Sequence, residues 1–148
     1  MIVRDGRRFN CCESVLIMVD ERHPLKGFES NIMKTASSLG GGVGGWGSAC
    51  GAVTGAVIAL SLIYGTEGDE TLGEFTGKRT HQRDMSQKLL REFEDTFGSV
   101  NCRELLGIDR RTDEGKARYQ EIKEQCTDMC NDFVDWAARR VMETLDDN

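Results

Sequence analysis

Gly40-Gly-Gly-Val-Gly-Gly-Trp-Gly-Ser-Ala-Cys50-Gly-Ala-Val-Thr-Gly55-Ala-Val-Ile-Ala-Leu60-Ser-Leu-Ile-Tyr64 is the stretch on which the fold turns. A glycine run ends there and an uncharged apolar segment begins. Residues 49–64 carry apolar or small side chains at every angle around a helix, the pattern of a central helix wrapped by others. The segment is short for a bilayer span and contains Gly51, Thr54, Gly55 and Ser61, so it reads as a buried core helix. Ser48 is placed to cap it. Gly51, Ala52, Gly55, Ala56 and Ala59 would let neighbouring backbones approach closely.

Helical spacing continues on both sides of this centre. Residues 9–19 form a first helix through Val15, Leu16, Met18 and Val19, and residues 29–39 a second through Ile32, Met33, Ala36 and Leu39. Residues 66–78 are polar and contain glycine, and read as a loop. Met85, Leu89, Phe93 and Phe97 mark a helix over 81–97. A short helix follows Cys102 and ends near Gly107. A long last helix is expected over 114–145, with Tyr119, Ile122, Cys126, Met129, Cys130, Phe133, Ala137, Val141 and Leu145 along its seam. Pro24 is the one proline, and β-type alternation is scarce. The expectation is an all-α fold: a single domain over 1–148, a helical bundle of about five helices around the central apolar helix at 49–64.

Charge and composition exclude several roles. A net charge of −6 and a pI near 5.0 do not suit nucleic acid, whose phosphates call for a basic surface. They also disfavour anionic membranes. The basic runs at 4–8 and at Arg110-Arg111 read as solvated surface. The N-terminus lacks the apolar stretch of a secretion signal, so the expected location is cytoplasmic, without membrane insertion. The apolar inventory of the central helix would also allow a homodimer, and the acidic surface could dock on a basic redox partner protein.

Six cysteines in a reducing compartment point to metal binding or redox chemistry rather than permanent bridges. Cys11 follows Asn10, Cys50 follows the glycine run, and Cys102 follows Asn101; each is expected in the first turn of a helix. There the exposed N–H groups would lower a thiol's pKa and favour the reactive thiolate. Cys126 and Cys130 are four residues apart, on one side of the last helix and facing the core. Cys12 and Cys126 read about equally well as small buried hydrophobes. No CxxC is present, so neither a thioredoxin-type dithiol nor a zinc knuckle is signalled.

Other motifs are weaker. Gly42-Val-Gly44-Gly-Trp-Gly47 fits G-x-G-x-x-G, but a helix rather than a strand precedes it, which argues against dinucleotide binding. The loop is better read as backbone only glycine can form, with N–H groups aimed at a negative centre. Trp46 could shield that centre from water or simply pack. His23 and His81 lack metal-binding or hydrolase partners and read as exposed.

The combined pattern resembles a family of redox-active proteins named for a four-cysteine signature with a CGAxxG core. The resemblance rests on Asn10-Cys11 before an apolar helix, the glycine run, Cys50-Gly-Ala-Val-Thr-Gly55, Phe97-Gly-Ser-Val-Asn-Cys102-Arg-Glu-Leu, and Cys130-Asn-Asp-Phe-Val-Asp. It implies that Cys11, Cys50, Cys102 and Cys130 form the functional set and leaves Cys12 and Cys126 outside it. The resemblance extends to a domain of the split-Soret cytochromes, proteins that carry an iron–sulfur centre beside haem; this chain has no CxxCH, so haem is not expected. Four thiolates suit an iron–sulfur cluster, and the small residues around Cys50 leave room for one. The expectation is a small oxidoreductase or electron carrier with Cys11, Cys50, Cys102 and Cys130 as cluster ligands. The alternatives are disulfide chemistry with Cys50 as the attacking, catalytic thiolate, a structural zinc site held by the same four cysteines, or a purely structural helical protein.

Overall fold

A computed structural model describes residues 1–147 of the chain. Among them are seven helices and one small hairpin, so the fold is all-α as expected. The hairpin pairs β1 (Val3–Arg4) with β2 (Arg7–Arg8) in antiparallel register. Asp5 and Gly6 connect them with φ of 50° and 75°, the two positive values of a type I′ turn. Asp-Gly is the sequence signal for that turn, while two-residue strands are too short to show alternation.

Asn10 starts α1 (Cys11–Arg22) with a capping box: its side chain accepts from Glu13 N–H, and Glu13 accepts from the Asn10 amide. The Asn10 side-chain amide then donates to the carbonyls of Ala36 and Ser37, at 3.2 and 3.0 Å. These carbonyls end α2 (Ser30–Ser37), so one side chain ties a helix start to a helix end.

The central helix α3 (Gly51–Tyr64) packs against α1, α4 (Leu72–Phe97) and α7 (Lys123–Asp146), while α1 also packs on α7. Val15, Leu16, Val19, Val53, Leu60, Phe93, Val134 and Val141 fill the space between them, almost fully buried. Gly51 and Gly55 stand one turn apart on the α1 side of α3. A Cβ on Gly55 would lie 2.7 Å from the Cys12 carbonyl oxygen, and one on Gly51 would lie 2.9 Å from Cys11 Cβ. The CGAxxG core is thus a close-approach seam between two helices. Between α4 and α7, Phe93, Phe97, Phe133 and Trp136 form a ring cluster with centroids 4.8 to 6.0 Å apart.

Three boundaries differ from expectation. The cap of α3 is Cys50, not Ser48; the Ser48 amide instead donates to Gly42 O, and its carbonyl accepts from Cys102 N. The expected loop at 66–78 is helical from Leu72, because Thr71 and Glu74 form a second capping box that carries Gly73 and Gly77 into a helix. The single helix expected over 114–145 is two, α6 (Asp113–Glu121) and α7, broken at Ile122 with φ −112° and ψ 28°. No proline or glycine stands at the break. Tyr119, one turn before the break, lies under the Arg110 guanidinium, a tertiary contact that helical periodicity does not encode. No helix among the described residues is long and apolar enough to cross a membrane.

A four-cysteine cavity as the candidate functional site

The site begins with the glycine run. Gly41, Gly42, Val43, Gly44 and Gly45 all have φ between 61° and 78°, a left-handed turn that costs other L-residues about 1–2 kcal/mol each. The turn closes on itself: Gly44 N–H donates to Ser38 O, Gly45 to Gly40 O, Gly47 to Gly41 O and Ser48 to Gly42 O. The N–H groups of Gly44, Gly45, Gly47 and Ser48 are therefore satisfied inside the loop and are not the ones free to face a charged centre.

What the loop offers instead is room for its neighbours. A Cβ on Gly40 would lie 2.6 Å from Asn10 Cβ, on Gly42 2.8 Å from Cys102 Cβ, and on Gly47 2.8 Å from Arg103 Cβ; on Gly41 it would collide with Arg110 Nη2. Each glycine makes space for a different segment that carries or supports a site residue. The loop also leads into an isolated β-bridge, Ala49 with Asn101. Cys50 N donates to Val100 O at 2.7 Å and Cys102 N to Ser48 O at 2.8 Å. That bridge clamps two cysteines that lie far apart in the chain. Cys102 opens α5 (Cys102–Leu106), as expected.

The result is one cavity of about 500 Å³ whose wall includes Cys11, Cys50, Cys102 and Cys130. Four thiols from α1, the start of α3, the start of α5 and the middle of α7 thus meet. Cys12 and Cys126, which fall outside the resemblance, are not on that wall. Both are buried in the core, Cys12 beside the Thr54 hydroxyl. All six cysteines are free thiols.

The electrostatics reverse one expectation. Burial pushes the Cys50 thiol up to about 12, although the amides of Ala52 and Val53 at the start of α3 act in the opposite sense. Cys102 is pushed up to about 11, first by burial and then by repulsion from Cys130, with Arg110 opposing. Cys130 is raised by its hydrogen bond with Cys11, then by burial. The sequence expectation is that helix N-termini lower the pKa of Cys50 and Cys102; desolvation outweighs them because these side chains are only 3% and 7% exposed.

Arg110 departs furthest from its sequence reading. A basic pair beside Arg111 suggests solvated surface, yet Arg110 is half-buried, lines the cavity, and lies 4.6 Å over the Tyr119 ring. Its Nη2 is 3.4 Å from Gly41 O. Only contact across 69 residues puts it there, and nothing in its local sequence signals that. Trp46, by contrast, does not shield the cavity: it is 59% exposed and stacks with Arg111. His81 is exposed as expected, while His23 is half-buried, 3.2 Å from Asp146.

Residues 9–143 match the family model described as "Putative redox-active protein (C_GCAxxG_C_C)". The chain belongs to this family. Its core here runs Cys50-Gly51-Ala52, the reverse of the Gly-Cys order in the family's label. No curated protein and no solved structure gives a match. Membership in this redox-active family agrees with a site made of thiols. Among the described residues, no three His, Cys, Asp or Glu side chains are gathered at the spacing of a single metal ion.

Proposed function

We propose that Cys11, Cys50, Cys102 and Cys130 are the ligands of an iron–sulfur cluster and that the protein is a small electron carrier. The observation that carries this reading is the convergence of these four thiols, from four separate segments, on one cavity. A cluster takes four cysteine thiolates, the number of thiols on this wall. When bound, such a cluster supplies one-electron transfer. The protein's part is to hold the donors: Asn10 fixes the α1 end, the Ala49–Asn101 bridge fixes Cys50 and Cys102, and α7 brings Cys130. Free thiols throughout suit a reducing compartment such as the cytoplasm.

Disulfide chemistry is the second reading, favoured by one proximity: Cys11 stands close enough to Cys130 to raise its thiol's pKa, while the Cys11 thiol itself lies 3.8 Å from Met1 Sδ. Burial pushes the Cys50 thiol up to about 12, which leaves little thiolate at neutral pH and weighs against Cys50 as the attacking group in this reading. Anaerobic purification followed by iron and sulfide analysis and an absorption spectrum separates the two. Brown protein with stoichiometric iron and sulfide is expected. Colourless, metal-free protein whose thiols disappear in pairs on mild oxidation would replace the cluster by the disulfide.

A further inference from the structure

The cavity has a charge pattern opposite to that of the chain. The sequence holds 25 acidic against 19 basic residues, yet the lining contains Arg8, Arg110 and Lys123 and no carboxylate. None of these three cations has an ion-pair partner within 4.0 Å among the described residues, whereas Arg4, Lys78, Arg111, Arg118 and Arg140 all do. Glu124 and Asp128 share an adjoining groove with Arg8 and Lys123 but lie beyond ion-pair reach.

The three cations are also arranged by depth. Arg8 and Lys123 are exposed, at the mouth, while Arg110 is half-buried among the cysteines. The Tyr119 ring and Gly41 carbonyl orient the Arg110 guanidinium, so part of its ordering cost is met before any ligand arrives. A guanidinium offers a planar fork of donors that matches carboxylate or phosphate oxygens. The volume, about 500 Å³, is in the range of small-molecule pockets. Leu105, Leu106 and Phe133 supply an apolar wall for the remainder of such a molecule.

We propose that this cavity is an anion site: it takes a small carboxylate- or phosphate-bearing molecule, held by Arg110 with Arg8 and Lys123 at the mouth, against the cysteine wall. The anion site shares its cavity with the proposed redox centre, and binding needs no electron transfer, so it is tested on protein of measured iron and sulfide content. A small molecule fits better than an acidic protein because the innermost cation is recessed, out of reach of a flat surface.

The test is calorimetric titration of the reduced protein with inorganic phosphate and with succinate, in zwitterionic buffer at low salt. Saturable binding of at least one probe is expected. Arg110→Gln should weaken it tenfold or more and Lys123→Gln three- to tenfold, while Arg139→Gln, away from the cavity, should leave it unchanged. Lys123 is exposed, so its variant keeps the test valid even where Arg110→Gln disturbs the glycine loop. Absence of saturable binding overturns the proposal, as does binding that neither cavity variant weakens or that Arg139→Gln weakens equally. Iron and sulfide content is measured on the same samples. Cavity variants that change that content without any anion binding would assign the cations to offsetting the redox centre instead. A titration without binding leaves the iron and sulfide result of the proposed function untouched.

Discussion

Gly55→Ala tests the close-approach seam most directly. The added Cβ would stand 2.7 Å from Cys12 O, 3.0 Å from Val15 Cβ and 3.1 Å from Cys12 Cα. Two of these atoms are main chain of α1, which cannot swing aside as a flexible side chain can. Alanine gains about 1 kcal/mol over glycine in helix propensity. Overpacking a filled core costs about 1–3 kcal/mol, and rigid backbone contacts argue for the top of that range. The net expectation is a loss of about 2 kcal/mol, or roughly 4–8 °C in Tm for a chain of this size. Gly77→Ala is the matched control. Gly77 lies inside α4 with nothing within 4 Å of its Cβ position, so propensity acts alone and should stabilise by about 1 kcal/mol. Urea unfolding followed by far-UV circular dichroism gives both midpoints, with the slope m unchanged if only native packing differs. Opposite signs for the two substitutions are required. A Gly55→Ala protein as stable as the parent would refute the claim that these glycines set the distance between α1 and α3.

Val43 is the non-glycine member of the left-handed turn, at φ 62° and 45% exposed. Val43→Gly should relieve that strain for a net gain of about 0.5–1 kcal/mol after the entropy of the new glycine is counted, read as a higher Tm. Asn10→Ala removes the cap of α1 and two hydrogen bonds to α2, and should cost about 2–3 kcal/mol in the same assay. Asn10→Asp should restore only the cap. The metal-free, reduced protein should lose stability in alkali. Cys12, Cys50 and Cys102 keep their protons to about 11, 12 and 11, whereas the unfolded chain releases them near 9. Above pH 9 the unfolded state therefore binds fewer protons, and each thiol should remove about 1.4 kcal/mol per pH unit until its folded value is reached. Urea midpoints that stay flat from pH 9 to about 10.5 would contradict the burial argument. Cys50→Ser should abolish iron and sulfide incorporation while Cys12→Ser preserves it; the reverse ranking would remove Cys50 from the ligand set.

Periodicity and caps carry most of the architecture. The apolar girdle of 49–64 identifies the central helix, and Asn10 and Asn101 locate the openings of α1 and α5. The extension of α4 down to Leu72 is legible in Thr71-Leu-Gly-Glu74, a capping box masked by the neighbouring glycines. The break at Ile122 is not, since no proline or glycine marks it and the apolar spacing runs straight through it. The same holds for the site. Four cysteines can be singled out from flanking residues, but their convergence depends on the β-bridge at Ala49 and on glycines whose missing side chains matter only once the partners are in place. Arg110 is hidden from sequence reasoning because a cation beside Arg111 looks like surface until the fold buries it.

The raised thiol pKa values bear on which chemistry the cavity is built for. A nucleophilic cysteine works through the thiolate it already holds at neutral pH, and Cys50, near 12, holds almost none. A ligand cysteine needs only that its proton can be displaced when positive charge arrives. The burial that hinders the first role leaves the second open, at the cost of proton competition near neutral pH. Thiolates formed at Cys50, Cys102 and Cys130 would repel one another across a cavity with no carboxylate on its wall, and Arg110 opposes that repulsion from within. Under the proposed cluster reading, full ionisation of the set would be coupled to a cationic centre among the four sulfurs. Loading must then release protons, and affinity must rise with pH through the neutral range. A cavity that incorporated iron and sulfide equally well at pH 6 and pH 8, with no protons released, would not be using these thiols as its ligands.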